Sequence, residues 1–157
     1  MSTDASLPVE DMLDSWRVNN AICLELLDLC PDETLDLKPR KGKTVRSHFV
    51  HIIGCRRAWL ERRSSRRSDT IPKLDFKTAS REEIRDGLVR SSEQMAEYLR
   101  ELAEENKARR SPPLMFFAYA VAHDAHHRAQ IELTLRIHDM EPDDTALYGL
   151  WEWTKKK

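Results

Sequence analysis

Hydrophobic residues recur every three or four positions in four long segments of the chain, which is the spacing of one face of an α-helix. In the first segment this face contains Met12, Trp16, Cys23 and Leu27, with Asn20 inside the same stripe. Prolines fall between the segments, and proline is excluded from helix interiors because it lacks the amide donor. The pattern predicts helices at approximately residues 8–30, 44–64, 80–108 and 112–138, followed by a C-terminal segment at 139–157.

Two of the predicted helix starts carry capping signals. Ser80 and Glu83 have the spacing of a capping box, in which each side chain accepts a hydrogen bond from the other residue's amide. Ser111 is a candidate N-cap because Pro112 follows it at the first helical position. Four long helices with short or moderate connections are typical of a bundle. We therefore predict an all-α fold, an up-and-down four-helix bundle.

Composition and charge narrow the possible classes of protein. A chain of 157 residues suits a single domain, here 1–157, and only four glycines argue against a β-rich fold. The net charge of -1 argues against nucleic-acid binding through a global positive field. No apolar run approaches the roughly 20 residues of a membrane span, and residues 1–7 do not resemble a secretory signal. We expect a cytoplasmic protein with free thiols and no nucleic-acid or membrane partner.

The histidines are the strongest candidates for chemistry. His123 and His127 are four residues apart and share a helix face, so both imidazoles can approach one ion. That face also carries Phe116, Ala120, Ile131 and Thr134 and should point into the bundle. His126 is rotated by roughly 100° from His127 and is not expected to be a ligand. The alternative is that the pair consists of interior histidines that are neutral and hydrogen-bonded.

A third ligand would have to come from the second predicted helix. His48 lies nearer the centre of the apolar arc of that helix, whereas His51 lies towards its edge, one turn before Cys55. Periodicity alone favours His48, but both histidines stay open as candidates on this evidence.

Several segments resemble the DinB/YfiT-like family. Residues 44–60 resemble its second helix, where a histidine precedes Trp-Leu by eight residues, as His51 precedes Trp59. Residues 123–131 are similar to its His-xxx-His-Arg-x-Gln-Ile run, and residues 147–151 to its C-terminal end. Trp16 with Asn19 and Asn20 suits its first helix, so the resemblance covers nearly the whole chain.

The resemblance implies a bundle that binds one divalent transition metal through three histidines. By position these are His51, His123 and His127, which favours His51 over His48 as the third ligand. Three imidazoles leave a metal position open and suit zinc or nickel foremost, with iron or manganese also compatible. The implied function is transfer of a low-molecular-weight thiol, or hydrolysis, on a small-molecule substrate. The alternative is a non-catalytic metal-binding stress-response or sensor module.

Two further residues are candidates for the surroundings of the site. Cys55 could border the pocket, although a small buried hydrophobic role is the preferred interpretation. Asn20 could contact a ligand histidine or line the pocket, and an interhelical structural bond is equally plausible. A zincin-like site with Asp124 as general base is disfavoured because Ala129 and Leu133 replace the residues that a metzincin requires.

Two further features of the sequence, a group of arginines and a stripe of alanines, concern the surface of the protein. The arginines between Arg56 and Arg67 are interpreted as a solvated helix C-terminus rather than a nucleic-acid patch. A stripe of small residues predicts a homodimer packed through the fourth helix. Its alternatives are an exposed face of good helix formers, or a face covered by residues 147–153. The stripe consists of Ala118, Ala122, Ala125 and Ala129.

Overall fold

A computed structural model describes residues 9–63, 65–104 and 112–156. Its long helices are α1 (Val9–Asp28), α2 (Val45–Arg63), α4 (Arg81–Glu104) and α5 (Pro113–Ile137), and its short ones are α3 (Ser65–Ser68) and α6 (Asp144–Gly149). Single turns of 3-10 helix occupy Asp32–Thr34 and Trp153–Lys155. The described ranges contain no strand. The predicted all-α four-helix bundle is confirmed.

The helix boundaries follow the local signals in the sequence. The capping box forms at α4, where the Ser80 amide donates to Glu83 at 2.7 Å and the Glu83 amide donates to Ser80 Oγ at 3.1 Å. At α2, Thr44 Oγ1 accepts from the Ser47 amide at 3.0 Å and caps the helix. At α5 the expectation of an N-cap at Ser111 is wrong, because Pro112 occupies the N-cap position and the helix begins at Pro113. Ser111 itself, the expected start at residue 8 and the expected end at residue 108 lie outside the described residues.

Helix α6 was not anticipated by periodicity, because its six residues are too few to show a repeating pattern. It begins with a capping residue instead. The Asp143 carboxylate accepts a hydrogen bond from the Ala146 amide at 2.8 Å, which satisfies one of the free amides of the first turn.

Helices α1 and α2 each pack along both α4 and α5. Helix α1 is antiparallel to α4, since Arg100 binds Glu10 at one end of the pair and Arg85 binds Asp28 at the other. The core between the four helices includes fully buried Trp16, and the predicted interior face of α5 is buried except at His123, which is partly exposed. None of the described helices combines the length and the apolar composition of a membrane span.

One pair of consecutive long helices departs from the alternating directions of an up-and-down bundle. Arg46 at the start of α2 contacts the Ala79 carbonyl just before α4, and Arg67 after α2 binds Glu97 near the end of α4. Helices α2 and α4 are therefore parallel. The reason is the non-helical connection over residues 69–80, which is long enough to return along the bundle before α4 begins.

Candidate metal centre

Three histidines from two helices converge in the interior of the bundle. His51 lies on α2, and His123 and His127 lie one turn apart on α5. Each offers one ring nitrogen such that the three atoms lie within 4.8 Å of one another. The ring centroid of His127 is 4.6 Å from those of both other rings. The structure thus brings together the three residues that the family resemblance selected, and the third imidazole comes from the helix facing α5.

His48, the residue favoured by periodicity, takes a different place. It lies on α2 before His51, and its Nδ1 is 3.0 Å from Nδ1 of His127. Its ring is therefore bonded to one of the three imidazoles and is not part of the group of three. His126 is exposed and also lies outside that group, as the helical spacing predicted.

Two of these imidazoles are kept uncharged by their surroundings. Burial lowers the pKa of His127 to about 3, and the neighbouring histidines add to this effect. Burial likewise lowers the pKa of His48 to about 4, with a smaller contribution from Lys43. The pKa of His51 is also lowered, for the same main reason. Neutral imidazoles present the lone pairs that a transition metal needs.

His123 has the opposite electrostatic environment. Its Nδ1 lies 3.6 Å from Oδ1 of Asp124, and the Cys55 thiol also contacts the ring. Hydrogen bonding with Asp124, followed by that with Cys55, raises the pKa of His123 to about 9. Without a metal, this ring is protonated at neutral pH, and ligation would require it to release a proton.

Cys55 borders the histidines instead of filling the hydrophobic core. Its side chain is partly exposed and contacts His123, so the preferred interpretation as a small buried hydrophobic residue is wrong. Two aromatic side chains extend the same border, because Tyr119 lies 6.1 Å from the His123 ring and 5.4 Å from the Trp59 ring. A small molecule near the histidines would therefore meet a thiol and an aromatic wall.

Asp124 is held by a second cluster of polar side chains. The Arg56 guanidinium donates to Asp124 Oδ2 at 2.7 Å, and the Asn19 amide donates to the same oxygen at 2.8 Å. Although burial acts to raise the pKa of Asp124, the charge of Arg56 and these hydrogen bonds keep it below its usual range. A carboxylate committed to Arg56 is not the general base of a zincin-like site.

We use the term polar layer for this cluster, which consists of Asn19, Asn20, Arg56, Asp124 and Arg128. Arg56 Nη1 donates to Asn20 Oδ1 at 2.8 Å and to Ser91 Oγ at 3.1 Å. Arg128 Nη1 donates to Asn19 Oδ1 at 2.8 Å. Asn20 therefore makes the interhelical structural bond that the sequence left open, and no direct bond to a histidine is found among the described residues.

The interpretation of Arg56 as part of a solvated helix end is wrong. Arg56 is 2% exposed, and its guanidinium lies 4.9 Å from the centre of the Trp16 ring. The signal was present in the sequence, since Arg56 lies four residues after Ile52 and four before Leu60 on the apolar face of α2. Asp124 and Arg128 on α5 are buried as well, and neither was recognised as buried from the sequence.

The donor set fits a divalent transition metal. His51 has no hydrogen-bond partner among the described residues, whereas Nδ1 of His123 and of His127 each face a side chain of this protein. One ring nitrogen from each histidine lies within 4.8 Å of the other two. Because metal–imidazole bonds are about 2.0–2.1 Å long, two nitrogens on one ion are at most about 4 Å apart, so rings near the 4.8 Å limit would move closer when an ion binds. His51 and His123 are partly exposed, so one side of the cluster is open to solvent.

Comparison with known proteins gives one match. The model of the DinB family matches residues 1–154. No curated protein matches the chain, and neither does any solved structure. The matched range contains all the histidines discussed above as well as the polar layer.

Proposed function

The chain belongs to the DinB family, and from this premise we propose that it binds one divalent transition metal through His51, His123 and His127. The observation that supports the proposal most is the convergence of three ring nitrogens within 4.8 Å. Two of the rings are neutral because of burial, and such a cluster has an unfavourable free energy unless something accepts its lone pairs.

We further propose that the centre is catalytic and acts on a low-molecular-weight thiol or on water. A bound divalent ion with an open position lowers the pKa of a coordinated thiol or water and so supplies a nucleophile near neutral pH. Imidazole donors favour zinc or nickel over the harder cations, although iron and manganese fit the same ligands. The choice of a thiol rests on the resemblance to the family's thiol transferases.

The surrounding residues supply binding and orientation. Trp59 and Tyr119 offer an aromatic wall for an apolar part of a small substrate, and Tyr119 is 45% exposed at its edge. Asp124 lies 3.6 Å from Nδ1 of His123 and is itself fixed by Arg56, so a carboxylate anchored in the core orients this imidazole by electrostatic attraction.

Elemental analysis of protein purified without a histidine tag tests the metal site. We expect close to one divalent ion per chain in the wild type and little in the His123→Ala, His127→Ala double variant. His126→Ala is the matched control, since it removes an adjacent but exposed imidazole from the same helix turn. Unchanged metal content in the double variant would disprove the site.

Turnover tests the catalytic part separately. The metal-loaded protein is assayed with a panel of thiols and electrophiles and with hydrolysable esters and amides. We expect metal-dependent turnover of at least one member, which the double variant lacks. Stoichiometric metal without turnover of any member would favour the non-catalytic binding module over the enzyme.

A further inference from the structure

We propose that His48 is a positioning residue for the metal centre. Its Nδ1 accepts the Nδ1–H of His127 and so fixes the His127 ring with Nε2 directed at the ion. The inference rests on the proposed function, since it concerns the same site, but it assigns a role to a histidine that neither the metal-ligand motif nor the group of three includes.

The geometry places the two rings in direct contact inside the protein. The Nδ1 atoms are 3.0 Å apart, which is a hydrogen-bond distance for two nitrogens. His48 is 7% exposed and His127 is 9% exposed, so water competes little for this bond. The ring centroids are 5.3 Å apart with planes inclined by 41°, which excludes parallel stacking as the reason for the contact.

The chemistry of neutral imidazole then fixes both tautomers. A neutral ring carries one N–H, so a His127 that gives the lone pair of Nε2 to an ion must carry its hydrogen on Nδ1. That Nδ1–H needs an acceptor, because a buried donor without a partner loses the hydrogen bond that it would make with water. The acceptor present is Nδ1 of His48, which must therefore carry its own hydrogen on Nε2.

The two proposed ligands on α5, His123 and His127, thus face two different kinds of side chain. Nδ1 of His123 faces the charged Asp124, whereas Nδ1 of His127 faces a neutral imidazole. His48 cannot use Nδ1 for the ion while that atom is bonded to His127. It therefore supports a ligand instead of replacing one, although periodicity alone would have selected it.

Metal affinity provides the first test. Zinc dissociation constants are measured by competition with a chromophoric chelator for the wild type, His48→Leu, His48→Asn and the control His126→Leu. We expect His48→Leu to weaken zinc binding by about 10–100-fold, the usual effect of removing such a partner. His48→Asn should recover most of the affinity, because Oδ1 of asparagine can take the place of Nδ1 as acceptor. His126→Leu should leave the affinity unchanged.

Long-range ¹H–¹⁵N spectra of the zinc-loaded wild type provide a second test that does not depend on any variant folding. We expect His127 to carry its hydrogen on Nδ1 and His48 to carry its hydrogen on Nε2. A merely structural contact would leave the tautomer of His48 free to be either form.

The possible failures can be told apart. Equal zinc affinity in His48→Leu and the wild type would overturn the positioning role and leave the metal site intact. A zinc-bound His48 nitrogen, or loss of zinc in both His48 variants to the level of His51→Leu, would make His48 a ligand. A wild-type protein that binds no divalent metal would overturn the proposed function and this role together.

Discussion

The histidine cluster and the polar layer meet on α5 and satisfy their hydrogen-bonding requirements in opposite ways. In the polar layer, the Asp124 carboxylate is paired with Arg56, and amide side chains fill the positions around both. In the cluster, ring nitrogens of His51, His123 and His127 face one another, and none of them is a hydrogen-bond partner of another in the described part of the chain. Most polar atoms of the first region have partners within the protein, with buried Nε of Arg56 as an exception, whereas in the second region His51 has no hydrogen-bond partner among the described residues.

The two regions differ because adjacent residues of α5 face different directions. His123 and Asp124 are adjacent in sequence, as are His127 and Arg128, and adjacent positions on a helix are about 100° apart. The histidines are directed at α2, while Asp124 and Arg128 reach Asn19 on α1. The buried polar residues of α5 therefore fall into two groups that face different helices.

The largest effect is expected from breaking the pair at the centre of the polar layer. Asp124→Leu leaves the Arg56 charge buried without a partner, which typically costs about 3–5 kcal/mol. The double variant Arg56→Met, Asp124→Leu should recover much of this loss, because it removes both charges. The free energy of unfolding in urea measures both changes.

An exposed ion pair serves as the control for this prediction. Asp14 binds Arg17 at 2.6 Å on the surface of α1, and Asp14→Ala should cost no more than about 1 kcal/mol. If Asp124→Leu were as mild as this control, the buried pair would not be the structural centre of the layer.

The opposite response is expected from the histidine cluster. His51→Leu removes no protein hydrogen bond found among the described residues, so the unfolding free energy of the metal-free protein should change by less than about 1 kcal/mol. Its zinc affinity should nevertheless fall far more than that of His48→Leu. A strong loss of metal-free stability would show that the imidazoles are satisfied by the protein after all.

Lowering the pH should distinguish the histidine cluster from the polar layer in one experiment. Protons compete with a metal for imidazole, and His123, with a pKa of about 9 in the metal-free protein, must release a proton to bind the ion. Metal affinity should therefore fall about tenfold for each pH unit below 9, and the ion should leave on acidification. The pKa of Asp124 is lowered in the folded state. Its contribution to stability is therefore complete above the unfolded pKa of about 3.9 and is lost only as the pH falls through the folded value.

At pH 5 we therefore expect a folded, metal-free protein. Circular dichroism follows the fold, and elemental analysis after gel filtration follows the metal. Retention of the ion at pH 4 would instead indicate carboxylate or thiolate ligands.

The sequence predicted the parts that depend on local pattern. Periodicity located the four long helices, the Ser80–Glu83 spacing identified a capping box that forms, and the family motif selected three histidines that converge. The parts that depend on tertiary contact were missed. Arg56 and Asp124 lie on apolar faces, but the partner that compensates a buried charge is 68 residues away along the chain, and periodicity carries no information about such pairs.

The parallel direction of α2 and α4 is a similar case. It is set by how the connection at 69–80 crosses the bundle, and no helix pattern encodes that direction. His48 and His51 are a further example. The eight-residue spacing to Trp59 selected His51, which lies in the group of three, whereas the centre of the apolar arc selected His48, which contacts His127 from outside that group.

The smallest effect on the stability of the folded chain is expected from a substitution on the outer face of α5. The four alanines of the stripe are exposed, and Ala125 and Ala129 line a cavity of about 330 Å³ together with Trp151 and Trp153 of the C-terminal segment. That segment reaches the stripe without filling the space beside it. The homodimer packed through this helix therefore stays a prediction. It rests on the observation that an exposed apolar face often forms an interface with another chain.

Ala125→Glu tests this prediction because a charge on the stripe should separate two copies and leave each chain folded. Size-exclusion chromatography with light scattering should show a dimer for the wild type and a folded monomer for the variant. The variant should lose only the stability that dimerisation gives the wild type. Val89→Glu on α4 is the matched control, since it adds the same charge at another exposed apolar position and should leave the dimer intact. A wild type that is monomeric at micromolar concentration would rule the dimer out. The outer face of α5 would then be an ordinary exposed helix surface.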